Sequence, residues 1–236
     1  LVRYDGYEFK TYPMRNSKGN IISPNSVRKL LQDGNGKIWA YSRENGINYY
    51  DTPTDTFVQV PFDQKTMDAI SNALPFGWID DSDNHSQWLT TINYITQEFS
   101  LYKFNTKDNT LIKYTSAGEG KQLLPTKTPP EIIKDSNGKI WLASGNVLSY
   151  FDVKNQQFTP YFTLPQNLKE YNISQLMADP AADDDVVWMN TYHGQDILNT
   201  QPIQFGKTVL RFNIKTKAYQ LFSPDAKNVT ALPANC

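Results

Sequence analysis

Cysteine is all but missing from this chain of 236 residues: the single one, Cys236, is the last residue. That excludes an internal disulfide and a cysteine-built metal centre, and it suits a cytoplasmic or a Gram-negative periplasmic chain equally well. Long apolar runs are missing too. No stretch reaches the roughly 18 consecutive apolar residues of a membrane span, and no secretory leader opens the sequence. An anchored parent protein is therefore expected to carry its anchor outside these residues. There is no excess of positive charge, since 23 basic side chains face 24 acidic ones without a basic run. Nucleic acid is not an expected partner, because neutralising phosphates supplies most of such affinity. Only two histidines are present, His85 and His193, so acid–base chemistry has little to stand on.

What is there is apolar, aromatic and rich in turn formers. With 39% hydrophobic residues, 13% aromatics, 14 Pro, 12 Gly and few helical periods, the composition implies a globular all-β chain. The stretch from Ser26 to Val60 holds four short β-type runs, at residues 27–32, 37–41, 46–51 and 56–60. Asp33-Gly-Asn-Gly separates the first two and Asp51-Thr-Pro-Thr-Asp the last two, both of them tight-turn chemistry. One four-stranded sheet would leave its apolar faces in water, so the pattern must recur if it is to fold.

It does recur. Asp135-Ser-Asn-Gly-Lys-Ile-Trp141 repeats Asp33-Gly-Asn-Gly-Lys-Ile-Trp39, and Asp81…Trp88 and Asp179…Trp188 fill the same slot more loosely. Downstream of each Trp an aromatic precedes Asp or Asn, with a large apolar residue six further on: Tyr50-Asp51…Phe57, Phe104-Asn105…Leu111, Phe151-Asp152…Phe158 and Phe212-Asn213…Tyr219. The tryptophans recur at intervals of 49, 53 and 47 residues (39 to 88, 88 to 141, 141 to 188). Four strands per unit at that period is the pattern of propeller blades. Trp39, Trp88, Trp141 and Trp188 thus stand in a fixed register as the packing core of the repeat, and Trp78 is expected to take the place that Leu31 has in the first blade.

The blades are expected at about residues 26–62, 76–115, 131–162 and 173–223, with a helical turn near residues 65–72 and a polar linker at 15–24. Residues 1–14 and 228–236 are expected to belong to adjacent blades of a larger ring, one of seven blades. The remaining blades of the same polypeptide are then its first partners.

The pattern D-x-x-G-x-I-W, then G-[IL]-x-x-[YF]-D, then T-x-x-F resembles the two-component regulator propeller repeat. The likeness covers nearly the whole chain, closely at residues 33–57 and 135–158. Trp88 is followed by Leu-Thr-Thr without the glycine, and Asp183-Asp-Asp precedes Trp188 in place of a Gly turn. The resemblance implies the periplasmic sensor region of a Bacteroidetes-type hybrid histidine kinase. Such a region does no chemistry itself, binds a ligand such as an oligosaccharide, and forms a homodimer in the full-length protein that controls transcription. No cofactor and no metal are expected.

Strands alternate direction within a blade, so the first and third turns open on one side while the second turn and the blade-to-blade links open on the other. The variable lengths fall on the second side, which is where a scaffold recognises a ligand. Candidate contacts there are Arg43, Glu44, Asn45, Tyr94, Tyr192, His193, Gln195 and Asp196, which combine planar hydrogen-bonding groups with aromatic surface.

Other constellations do not survive a count of positions. Asp33-Gly-Asn-Gly opens like a calcium loop, but its fifth and sixth positions are Lys37 and Ile38. Asp183-Asp-Asp185 is a solvated acidic turn. Gly118-Glu-Gly-Lys121 lacks the leading glycine and the Ser or Thr of a phosphate loop. His85 belongs to a surface turn. Two other classes of function stay open: a propeller enzyme of lyase or hydrolase type using His193, and a protein-interaction scaffold.

Overall fold

In the computed structural model the described residues are 1–22, 27–43, 45–71, 73–93, 95–96, 98–115, 130–135, 137–152, 154–155, 157–179, 185–193 and 204–223. They fall into two compact units, Leu1–Lys113 and Tyr114–Cys236.

The first unit opens with a hairpin of β1 (Val2–Tyr4) and β2 (Phe9–Thr11). A second small hairpin follows, β3 (Met14–Arg15) with β4 (Ile21–Ile22). The first blade is β5 (Val27–Gln32), β6 (Ile38–Ser42), β7 (Gly46–Asp51) and β8 (Thr56–Gln59), paired antiparallel in order. β3 adds to its outer edge in parallel with β8, placing Met14 beside Phe57. The stretch expected as a linker thus carries ladder pairings, too short to show any period of their own. The helix α1 (Gln64–Ser71) then leads to the second blade: β9 (Ala73–Asp81), β10 (Ser86–Asn93), β11 (Phe99–Asn105) and β12 (Leu111–Thr115).

The third blade is β13 (Glu131–Lys134), β14 (Ile140–Ser144), β15 (Val147–Asp152) and β16 (Gln157–Thr163). The fourth is β17 (Tyr171–Ala178), β18 (Val186–His193), β19 (Gln204–Asn213) and β20 (Tyr219–Phe222). The chain is therefore all-β, with four antiparallel four-stranded blades, the first of them extended by β3 and β4 into a six-stranded sheet. The part-blade expected at 228–236 lies outside the described residues.

Local chemistry explains why the third turns are alike. Asn105, Asp152 and Asn213 each accept a backbone N–H from two or three residues ahead, from Lys107, Lys154 and Thr216. Asp55, Asn109 and Lys217 then take a left-handed conformation, with φ between 53° and 60°, to close the turn. In the first turns that conformation falls to Gly36 and Gly138. In the second blade His85 takes it, at φ 50° and exposed, which a side chain tolerates only at some cost.

Within the first unit Trp39, Tyr41 and Ile47 of one blade pack against Trp78, Leu89, Tyr102 and Phe104 of the next. Within the second, Trp141, Ala143 and Leu148 pack against Leu176, Met189, Leu210 and Phe212. In both pairs the Trp of the earlier blade faces the following one. The register corrects one expectation: Leu31 pairs with Trp39, whereas Trp78 pairs with Leu89, so Trp78 corresponds to Leu30 and not to Leu31. A slip of one residue moves a side chain to the other face, and Trp78 accordingly faces the first blade.

Candidate functional site

Each repeat tryptophan is held by its indole nitrogen. Nε1 of Trp39, Trp88, Trp141 and Trp188 donates to Asp33, Asp81, Asp135 and Asp179 at 2.9, 3.2, 2.8 and 3.0 Å. In the first and third blades the other carboxylate oxygen accepts two backbone N–H groups, from Asn35 and Lys37 and from Asn137 and Lys139. A cation covers each ring: Lys37 at 4.6 Å, Lys103 at 5.2 Å, Lys139 at 4.9 Å and Arg211 at 6.0 Å. Burial holds the Lys37 ammonium below the usual lysine range, against the opposing pull of Asp33 and Asp51. Trp39, Trp88 and Trp141 are buried and offer no ligand a stacking surface, whereas Trp188 is only partly covered.

The second-turn side of the first blade is built around a close approach. Gly46 sits at φ +60°, and a Cβ there would come within 2.5 Å of Ile70 on α1. Tyr41 donates its hydroxyl to the carbonyls of Ile70 and Ala73, tying the helix to the sheet, and burial pushes this phenol well above its usual range. Gln59 Nε2 donates to the Asn45 carbonyl at 3.1 Å. Asn45 Nδ2 and Asn48 Oδ1, a donor and an acceptor three residues apart, are buried without a hydrogen-bond partner among the described residues. Buried polar atoms of that kind call for a water or a guest.

The candidate contacts divide between the two units. Arg43 and Asn45 flank the second turn of the first blade, both half-buried. Tyr192 and His193 end β18 in the second unit, where they pair with Asn172 and Tyr171 and the Tyr192 ring is buried. Glu44, Tyr94, Gln195 and Asp196 lie outside the described residues, as does the side chain of His193. Among the described residues, no three His, Cys, Asp or Glu side chains are grouped so as to hold a metal ion. None of their helices is long and apolar enough to cross a membrane.

A cleft of about 480 Å³ lies on the opposite side of the first blade, between its first and third turns, where no ligand contact was expected. Asn35, Lys37, Tyr49, Asp51 and Thr52 line it, with the Lys37 ammonium 3.9 Å from the Tyr49 ring centroid. The sequence signal for that cation is the lysine two residues before Trp39, repeated as Lys139 before Trp141.

No family model matches the chain, and no curated protein matches it in sequence. Solved structures share its fold. The extracellular domain of BT3049 from B. thetaiotaomicron, described as a putative hybrid two component system, superimposes with a TM-score of 0.59 at 14% identity, over 95% of this chain and 25% of that one. The corresponding domain of BT4673, also from B. thetaiotaomicron, gives 0.56 at 17% identity, over 98% and 31%. PorZ, a surface component of the type-IX secretion system of Porphyromonas gingivalis, gives 0.58 at 13% identity, over 97% and 30%. The chain thus spans between a quarter and a third of the length of each. What is shared at these identities is the β-propeller architecture.

Proposed function

We propose that this chain is part of the extracytoplasmic, periplasmic sensor propeller of a hybrid two-component histidine kinase and response regulator. In this reading it detects a carbohydrate and controls transcription across the membrane. The observation that carries the reading is that nearly the whole chain superimposes on two extracellular domains described as belonging to hybrid two component systems. The repeat pattern of Asp, Gly, Ile and Trp in the sequence supports it from a separate direction. Such a region acts by binding alone. Its ligand shifts an equilibrium between two arrangements by no more than its difference in affinity for them.

The second-turn side of the first blade is the proposed contact region. Arg43 brings a planar set of donors, and Asn45 and Asn48 bring a donor and an acceptor without a partner among the described residues. Vicinal hydroxyls, each both donor and acceptor, suit that chemistry.

Thermal unfolding against a panel of oligosaccharides tests the proposal. A sugar held at 100 times its dissociation constant stabilises the folded state by about 2.7 kcal/mol, or roughly 5–10 °C for a chain of this size. Arg43→Ala is expected to abolish that shift while leaving the unliganded melting temperature within about 2 °C. A panel without any shift, or a shift indifferent to Arg43, contradicts the proposal. Product formation lost in His193→Ala would favour the enzyme reading instead.

A further inference from the structure

Each unit holds one seam between neighbouring blades, and the two seams are built from equivalent positions. In the first unit the second blade turns Trp78, Leu89, Tyr102 and Phe104 towards the first. In the second unit the fourth blade turns Leu176, Met189, Leu210 and Phe212 towards the third. Trp78 pairs with Leu89 and Leu89 with Tyr102, as Leu176 pairs with Met189 and Met189 with Leu210. Side chains alternate between the faces of a strand. Asp80, Gln87 and Thr91 therefore share the face of Leu89, and Ala178, Val187 and Thr191 share that of Met189.

At these three places the seams differ. Gln87 is fully buried directly before its Trp, where the other blades have Ile38, Ile140 and Val187. Its Oε1 accepts from the Trp78 indole at 3.1 Å, which leaves Nε2 buried without a partner among the described residues. Asp80 stands directly opposite. Its Oδ2 accepts from the Gly34 N–H at 3.0 Å and from the Ser82 hydroxyl at 2.8 Å, while its Oδ1 is buried and unpartnered in the same way. The fourth blade has Ala178 opposite Val187 there, with no polar side-chain atom to strand. Thr91 is 1% exposed and its hydroxyl is unpartnered, whereas the equally buried Thr191 donates to the Thr208 carbonyl at 2.8 Å.

The closed first seam thus strands three polar groups, and the closed second seam none at the same places. A stranded group gives up its hydration when the blades meet and regains it when they part, so each one tilts the seam towards opening. The second seam is also cross-bonded: the Ile173 N–H donates to the Gly145 carbonyl at 2.7 Å and the Tyr161 hydroxyl to the Ile214 carbonyl. We infer that the seam between the first and second blades is a joint built to open, at which the two blades part and wet Asp80, Gln87 and Thr91, while the seam between the third and fourth blades stays shut. Tyr41 of the first blade holds the carbonyls of Ile70 and Ala73, where α1 leads into the second blade, so the parting is local. It leaves the Trp39 indole bonded to Asp33 within its own blade. The joint is independent of what the propeller senses, and it is the element whose two states a bound molecule would bias.

Thiol labelling under native conditions tests it. In a chain freed of its one cysteine by Cys236→Ser, Leu89→Cys and Met189→Cys each place a thiol at equivalent, fully buried positions. Circular dichroism verifies the fold, and Tyr102→Cys with Leu210→Cys replaces the pair if either variant unfolds. With an aromatic disulfide reagent, position 89 is expected to react at least about tenfold faster than position 189. The isosteric Thr→Val change should then act with opposite sign in the two seams. Thr91→Val removes a stranded hydroxyl and should slow labelling at position 89 about fivefold, whereas Thr191→Val removes a made hydrogen bond and should speed labelling at position 189 by a similar factor. Equal labelling at the two positions, or faster labelling at 189, overturns the inference. So does a Thr91→Val change that fails to slow the reaction, or a pair of Thr→Val changes that move both rates the same way.

Discussion

The first and third blades hold their tryptophans in one way, the second and fourth in another. In the first and third, six residues separate Asp from Trp, one carboxylate oxygen closes the turn on two backbone N–H groups, and the cation comes from the lysine two residues before the ring. In the second and fourth, the separation is seven and nine. Their cations, Lys103 and Arg211, come from the residue directly opposite the Trp on the next strand. The constant is the three-dimensional arrangement of carboxylate, indole and cation. The turn that delivers it is free to change, which is why two repeats are plain in the sequence and two are blurred.

Substitutions on the two kinds of blade put that contrast at risk. The largest effect is expected from Asp135→Ala, which strands the buried Trp141 indole N–H and removes the acceptor of two part-buried backbone donors. A loss of about 2–3 kcal/mol in urea denaturation is expected, against about 1 kcal/mol for Asp179→Ala beside the partly covered Trp188. Equal losses would show that the turn's two backbone hydrogen bonds add nothing to the indole contact.

Next comes a transplant. Gly34→Ser gives the first blade the third blade's Asp-Ser-Asn-Gly turn, and a Cβ at Gly34 lies 2.5 Å from Ser82 Oγ. The Gly34 N–H also donates to Asp80 of the second blade at 3.0 Å. A cost of about 1–2 kcal/mol is expected, so that turns alike in sequence prove not to be interchangeable. A neutral result would mean that Ser82 moves aside freely.

Smaller still are the cations. Lys139→Met and Lys103→Met should each cost about 0.5–1 kcal/mol by loss of the ring contact, the former more, because Lys139 also lies 3.8 Å from the Tyr150 ring.

The pH dependence separates cations from phenols in the first unit. Burial raises the Tyr102 phenol to about 12 and pushes Tyr41 further in the same direction. Between pH 10 and 12 the unfolded chain gives up these protons while the folded chain keeps them, so stability falls as pH rises through that window. Tyr102→Phe should flatten the fall. Lys37 works the other way: its lowered folded value means that stability rises as pH climbs from that value towards the ordinary lysine value of 10.5, and Lys37→Met should remove the rise. Both slopes are readable from urea midpoints measured across the range.

The fold was legible because its two strict repeats put turn, Trp and Asp at fixed steps. The helix α1 lies within a residue of its expected place at each end, Gln64–Ser71 against residues 65–72. Trp78 was assigned one position off because the offset from the Asp was not counted: Trp78 stands three residues before Asp81, as Leu30 stands three before Asp33, and the pairing between the two Asp–Trp slots is regular. Tyr161 was invisible as a special residue. The bulge at Leu148/Ser149 leaves it without a cross-strand partner, so its ring turns onto Trp141 at 5.1 Å and its hydroxyl reaches the Ile214 carbonyl at 2.5 Å. The candidate site was less legible, because a ligand surface made of turns has no period. Arg43 and Asn45 could be named from loop length, whereas the burial of Asn45 Nδ2 and Asn48 Oδ1 shows only in three dimensions.

Whether one carboxylate–indole–cation arrangement holds all four tryptophans is decided by hydrogen exchange of the indole N–H groups, followed by NMR. Slow exchange is expected at Trp39, Trp88 and Trp141 and markedly faster exchange at Trp188, with Asp135→Ala releasing Trp141 alone. Fast exchange at Trp39 or Trp88, or protection of Trp141 that survives in Asp135→Ala, would contradict that arrangement.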